Sequence, residues 1–252
     1  MEPVAHAGPR QLARAAGLLY LINIVGGAFA ITVVPSLIVV QGDAAATAQN
    51  IQAHELLYRS GLAAHVVVTT TNVPLALIFY ELFKVVNRRL ALLDAFLILV
   101  ATAIEAAGLV NQFTPLVLLR GGPYEVALPR SQIDALAYLP TDLSSIDYTV
   151  HTVFFGLDIL VFAYLVLKSA FLPRALSLLL AIDGLAYLVY SFTDMLAPHA
   201  ALHLVPWIQL PALVGEGALC LWLLVVGLDA ERWRAQASSA VRTPSVALEA
   251  LP

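Results

Sequence analysis

Apolar residues run almost unbroken through six stretches of the chain, Leu12 to Val34, Leu62 to Phe83, Leu90 to Phe113, Ile146 to Leu167, Ala175 to Leu196 and Pro206 to Leu228. About 20 apolar residues in a helix cross a hydrocarbon core of about 30 Å. The pattern therefore predicts an all-α fold, a polytopic integral membrane protein with a six-transmembrane-helix bundle over 12–228. A short segment precedes it at 1–11, and a tail at 229–252, with Ser238, Ser239 and Pro244, is expected to be disordered. The first stretch also resembles a secretory signal, because Arg10 and Arg14 precede it and Ala28-Phe29-Ala30 looks like a cleavage site. Its apolar run continues to Val34 without a polar break, so it is expected to stay as a span.

Basic residues orient the bundle. Arg10, Arg14, Lys84, Arg88, Arg89, Lys168, Arg174, Arg232, Arg234 and Arg242 fall on one side of the predicted spans, and only Arg59, Arg120 and Arg130 on the other. The positive-inside rule then puts both termini in the cytoplasm. The outer connections, 35–61 and 114–145, are long. Asp43 is expected to cap a short helix running towards Leu56 and Tyr58, Arg120-Gly121-Gly122-Pro123 breaks the chain, and Ser131 to Leu139 reads as a short surface helix. Tyr58, Tyr138, Tyr148 and Trp207 fall where an outer aromatic belt is expected.

The polar residues inside the spans locate the interior, since a charge facing lipid is costly. Nearest the centres of the six spans are Asn23, Asn72, Glu105, Asp158, Asp183 and Glu216. Steps of about 4, 7 or 11 residues return to one helix face. Such stripes join His65, Thr69 and Asn72; Asp94, Glu105 and Gln112; Asp147, His151 and Asp158; Asp183, Tyr187 and Asp194; and Gln209 with Glu216. They predict one shared polar core, opening outwards as a cavity. No Lys or Arg lies near mid-span to balance the four acids, so some of them are expected to be neutral at physiological pH and to donate hydrogen bonds.

Composition narrows the chemistry. Of 252 residues, 60% are hydrophobic and 12% charged, which excludes a soluble fold, and a net charge of −4 without a basic run gives no footprint for nucleic acid and no polybasic lipid cluster. The single cysteine, Cys220, excludes a disulfide framework. Nucleotide-binding, metalloprotease and serine-hydrolase motifs are absent. His54, His65, His151, His199 and His203 are all predicted on the outer side, and Asp147 with His151 could reach one ion, but the spacing matches no known ligand set and no metal site is assigned. The cofactor is unknown, and the partners expected are the lipid bilayer and a lipophilic small molecule.

One reading is an intramembrane enzyme in which Glu105, Asp158, Asp183 and Glu216 are the candidate catalytic acids. Asn23, Asn72, Tyr20, His65, Asp147, His151, Tyr187 and Asp194 would then bind substrate. A protonated carboxylic acid in a dry site can protonate an alkene or epoxide, and Tyr20, Phe154, Phe155, Phe162, Tyr187 and Tyr190 could stabilise a carbocation, which suggests an isoprenoid-like substrate. The alternatives are a small-molecule, proton or cation transporter or ligand-binding membrane protein, and a structural or regulatory membrane component held together by interhelical hydrogen bonds.

Several short motifs carry a likeness: Arg14-Ala-Ala-Gly-Leu-Leu-Tyr20, Gly42-Asp-Ala-Ala-Ala-Thr47, Phe155-Gly-Leu-Asp158, Leu172-Pro-Arg174 with Asp183-Gly184, and Leu210-Pro-Ala-Leu-Val-Gly-Glu216. The chain resembles the bacterial membrane family of unknown function DUF4386 from about Arg14 to Gly227. The resemblance implies a six-helix, multi-pass protein of the bacterial inner membrane, and it implies no activity. A looser similarity of kind, in size and in membrane acids, links the chain to integral-membrane terpene cyclases, with no motif shared residue by residue.

Overall fold

The computed structural model describes residues 8–246, and among them no strand occurs. The helices are α1 (Pro9–Gly27), α2 (Val34–Ile38), α3 (Ala44–Ala53), α4 (Glu55–Asn111), α5 (Thr114–Leu118), α6 (Pro123–Ala127), α7 (Arg130–Lys168), α8 (Arg174–Leu196), α9 (Pro198–Ile208), α10 (Leu210–Val225) and α11 (Ala230–Val246). A π-helical turn, Ala28–Val33, joins α1 to α2, so the stretch that resembled a cleavage site lies inside one helical run from Pro9 to Ile38. Four such runs are long and apolar enough to cross a membrane: Pro9–Ile38, Glu55–Leu118, Arg130–Lys168 and Arg174–Leu196. A fifth is formed if Leu210–Val225 and Ala230–Ser239, bent by 101°, count as one broken span.

Several boundaries differ from the pattern of apolar residues. Asn87 breaks α4 with an extended backbone, φ −156° and ψ 106°, and its side chain caps the second half of the helix by accepting the N–H groups of Arg89 and Leu90, each at 3.1 Å. The predicted stretches 62–83 and 90–113 lie on either side of this break. The helix expected over Ser131 to Leu139 is not separate but forms the first turns of α7, which continues past Pro140. The stretch expected from Pro206 is divided at Gln209, because Pro211 at the start of α10 has no N–H with which to continue a helix from α9. The expected disordered tail is corrected over its described part, since Ala230–Val246 form a helix, and 247–252 lie outside the described residues. Its start has a clear cause: Asp229 accepts the N–H groups of Glu231 and Arg232, each at 3.1 Å.

The chain divides into two compact units. Unit 1 comprises 1–21, 73–100 and 152–252, and unit 2 comprises 22–72 and 101–151. In unit 1, close contacts at glycine draw helices together. A Cβ on Gly17 would lie 2.9 Å from the backbone N of Leu224, which sets α1 against α10. Gly156 and Gly184 face each other, each with a Cβ position about 3 Å from the other's carbonyl oxygen, which sets α7 against α8. Gly215 would meet the Leu179 carbonyl oxygen at 3.1 Å, which sets α10 against α8. Small residues at such crossings are how helices approach closely when the surrounding lipid is as apolar as the side chains. Phe79, Phe83, Phe162 and Phe171 fill the space next to them, with Phe79 and Phe162 ring centres 4.6 Å apart.

In unit 2 the long connections are folded rather than loose. Asp43 accepts the Ala46 N–H at 2.9 Å and caps α3, as its sequence predicts, but α3 stops at Ala53 and does not run on to Tyr58. Gly121 and Gly122 take φ of 84° and 101°, which only glycine adopts readily, and turn the chain between α5 and α6. Val34, Ile38, Ala48, Ile51, Leu62, Leu109, Leu116, Leu118, Leu119, Ile133 and Ala137 form one buried cluster. Around it the Tyr58 hydroxyl donates to the Gln112 carbonyl oxygen at 2.7 Å, Gln52 donates to the Leu119 carbonyl oxygen, and Arg130 reaches both Asp134 and Gln52 at 2.8 Å.

Candidate functional site

Unit 1 gathers four acids and two tyrosines from five helical segments. Glu216 on α10 accepts the Tyr20 hydroxyl of α1 at 2.9 Å and the Tyr187 hydroxyl of α8 at 3.0 Å, one on each carboxylate oxygen. Asp183 lies one turn before Tyr187 on α8, close enough to Glu216 for direct electrostatic interaction. It is 0% exposed, and neither of its carboxyl oxygens has a hydrogen-bond partner among the described residues. The Gly215 contact explains this closeness, because its Cβ position lies 3.4 Å from the Asp183 Cβ.

Asp158 on α7 and Asp94, in the part of α4 after Asn87, form a second pair. Their carboxyl groups lie close enough to interact directly, and each keeps a buried Oδ1 without a partner among the described residues. Asp158 interacts electrostatically with Glu216, and Tyr20 with Asp158, Asp183 and Glu216, so the two pairs belong to one centre. The Tyr20 ring packs edge-on against Phe79 and the Tyr187 ring against Phe155, with centres 6.4 and 5.2 Å apart. A buried bond between Thr152 and Ser191, 2.7 Å, ties α7 to α8 nearby.

The remaining predicted residues of the six span centres fall in unit 2. His65 Nε2 and Glu105 Oε1 are 2.9 Å apart, both largely buried. His151 Nδ1 is 3.0 Å from the Ala101 carbonyl oxygen, and Asp147 packs where Gly108 leaves room for no Cβ. Asn72 donates to Thr102 at 3.2 Å, and Thr71 donates to Asn23 at 3.4 Å. Asp194 belongs to unit 1 but lies 11 residues beyond Asp183, about 16 Å along the helix, near the end of α8. The candidate acids expected at one depth thus divide, with Asp158, Asp183 and Glu216 in unit 1 and Glu105 in unit 2. Asp94 is visible in the sequence only as a member of a stripe with Glu105; it pairs instead with Asp158. Among the described residues, no group of three or more His, Cys, Asp or Glu is arranged to hold a metal ion.

These features define an all-helical protein with membrane-spanning character and a buried carboxyl–tyrosine centre. The chain belongs to the family described as domain of unknown function DUF4386, whose model matches residues 15–227. No curated protein and no solved structure matches it.

Proposed function

We propose that this chain is a proton-exchanging transporter of the bacterial inner membrane, spanning it six times with both termini in the cytoplasm. Asp94, Asp158, Asp183 and Glu216 would be the groups that take up and release protons. The observation that carries this reading is Asp183, fully buried with two oxygens lacking a donor, beside a glutamate that two tyrosine hydroxyls hold in place. A buried carboxylate with no donor costs several kcal/mol. A proton arriving at Asp183 removes that cost and gives it a hydroxyl that can donate to a neighbour. Such a centre exchanges protons without a large opening.

Six spans are supported by the break at Asn87, which makes two spans of Glu55–Leu118, and by α10 with the end of α9 as the last. The orientation is supported by the charges: ten basic residues fall in the connections and ends predicted to be cytoplasmic, and three in those predicted to be external. The test is proton flux into liposomes containing the purified protein and a trapped pH-sensitive dye, driven by a potassium diffusion potential. Wild type is expected to acidify the lumen faster than protein-free liposomes, and Asp183→Asn and Glu216→Gln each to abolish the difference. Wild-type flux equal to that of protein-free liposomes overturns the reading.

A second reading is supported by the aromatic rings. Tyr20, Phe79 and Phe162 follow one another in contact beside the acids, a surface that could face a carbocation. An enzyme acting on a lipophilic, isoprenoid-like substrate would convert a prenyl alcohol or diphosphate to a product of the same mass or one lacking the leaving group, and would lose this in Asp158→Asn.

A further inference from the structure

We propose that α11 and the ends of the helices it touches form a binding site for anionic phospholipid headgroups. The inference rests on the chain spanning a membrane and not on proton exchange. No run of basic residues exists in the sequence, but the fold assembles one. The Trp233 indole N–H donates to the Leu82 carbonyl oxygen at 2.8 Å, which sets α11 against the end of the first half of α4, two residues before Lys84 and six before the exposed Arg88 and its neighbour Arg89. The Gln236 side chain donates to the Lys168 carbonyl oxygen at 3.2 Å and accepts the Ala170 N–H at 3.0 Å, which fixes α11 against the end of α7. The Asp229 N–H donates to the Phe171 carbonyl oxygen, three residues before Arg174. Arg10 donates to the Val226 carbonyl oxygen at 3.4 Å and packs against Gly227, where the chain turns from α10 to α11.

The cations on α11 and within seven residues of the positions tied to it or to the turn before it are Arg10, Lys84, Arg88, Arg89, Lys168, Arg174, Arg232 and Arg234, against the acids Glu81, Asp229 and Glu231. Lys84 is taken up by Glu81 and Arg232 by Asp229, but Arg88, Arg89, Arg174 and Arg234 are exposed and have no ion-pair partner among the described residues. The shape selects the occupant. The axis of α11 turns 101° from that of α10, so when α10 crosses the bilayer α11 lies along its surface. Trp233 and Gln236 are half-buried against unit 1 while Arg232, Arg234, Ser238 and Ser239 are exposed. Arginine forks at this level meet phosphodiester groups, and their net positive charge favours anionic over zwitterionic lipid.

The test is native mass spectrometry of the full-length protein, delipidated in detergent and titrated with phosphatidylglycerol or phosphatidylcholine. Phosphatidylglycerol adducts are expected to survive at activation energies that strip phosphatidylcholine. An Arg88→Gln, Arg89→Gln, Arg234→Gln variant is expected to lose about fivefold in phosphatidylglycerol affinity per arginine, while Arg120→Gln in unit 2 loses none. A salt titration of wild type gives the same information without a variant, since phosphatidylglycerol binding should fall with ionic strength and phosphatidylcholine binding should not. Equal retention of both lipids, salt-independent binding, an unaffected triple variant, or tighter binding of a soluble anion such as a nucleotide would each overturn the proposal.

Discussion

Glu216 has one oxygen for each of two tyrosine hydroxyls, and this divides the cost of losing them unevenly. Tyr20→Phe removes one donor and leaves the other oxygen still bonded. Measured hydrogen bonds between membrane helices contribute about 0.6 kcal/mol on average and at most about 1.7, because the unfolded chain in lipid finds substitutes. Each single Tyr20→Phe or Tyr187→Phe change is therefore expected to cost about 0.6–1.7 kcal/mol in reversible unfolding in mixed detergent micelles. The double variant leaves the carboxyl with neither donor and is expected to cost more than the two singles added. Strict additivity would mean that the two hydroxyls do not act through one carboxyl. The sequence makes both tyrosines visible, through Asp183, Tyr187 and Asp194 at helical spacing and through Tyr20 near Asn23. It does not disclose that they meet on Glu216, because spacing along one helix says which face a residue takes and nothing about its neighbour across the gap.

Where the helices cross, glycine decides what the acids can touch. Gly184→Val would drive a side chain into the Gly156 carbonyl, 2.9 Å from its Cβ position, and separate α7 from α8 at the level of Asp158 and Asp183. Overpacking of this kind costs about 1–3 kcal/mol. Gly217→Ala, on the same helix as Glu216 but with nothing within 4 Å of its Cβ position, is expected to stabilise by about 0.5–1 kcal/mol through helix propensity. Thermal unfolding of both variants checks this, and equal shifts for the two would mean that the glycine crossing is not what positions α7 and α8. These crossings are illegible in the sequence, where Gly156, Gly184 and Gly217 look alike inside apolar runs. The helix α11 is more legible than a disordered tail allows. Asp229 with Glu231 and Arg232 after it is a helix start, and Ala, Arg and Gln favour helix; polar composition outweighs that signal only where the cap is overlooked.

At the scale of the molecule, the count of spans depends on whether an apolar stretch, a helix and a crossing are the same thing, and here they are not. Glu55–Leu118 is one helical run of 64 residues, about three times the length that one crossing needs, and holds two predicted spans divided by the single extended residue Asn87. Conversely α10 has 16 residues, about 24 Å, less than a hydrocarbon core of about 30 Å on its own. Apolar patterning finds the long apolar helices well because lipid tolerates no unpaired backbone. It misses the folded connections of unit 2, since those helices are packed against one another by specific contacts such as Arg130 to Gln52 and Asp134. Labelling of single introduced cysteines with a membrane-impermeant thiol reagent tests the crossings directly. The wild type serves as an unlabelled background because Cys220 is 1% exposed. With six crossings and cytoplasmic termini, Ser131→Cys and His203→Cys are labelled in intact cells, whereas Arg89→Cys, Ala170→Cys and Ser238→Cys are labelled only after lysis. Labelling of Arg89→Cys and Ser131→Cys from the same side would remove the crossing after Asn87, and reversal of the whole pattern would place the basic residues of unit 1 outside, against the charge rule that orients the chain.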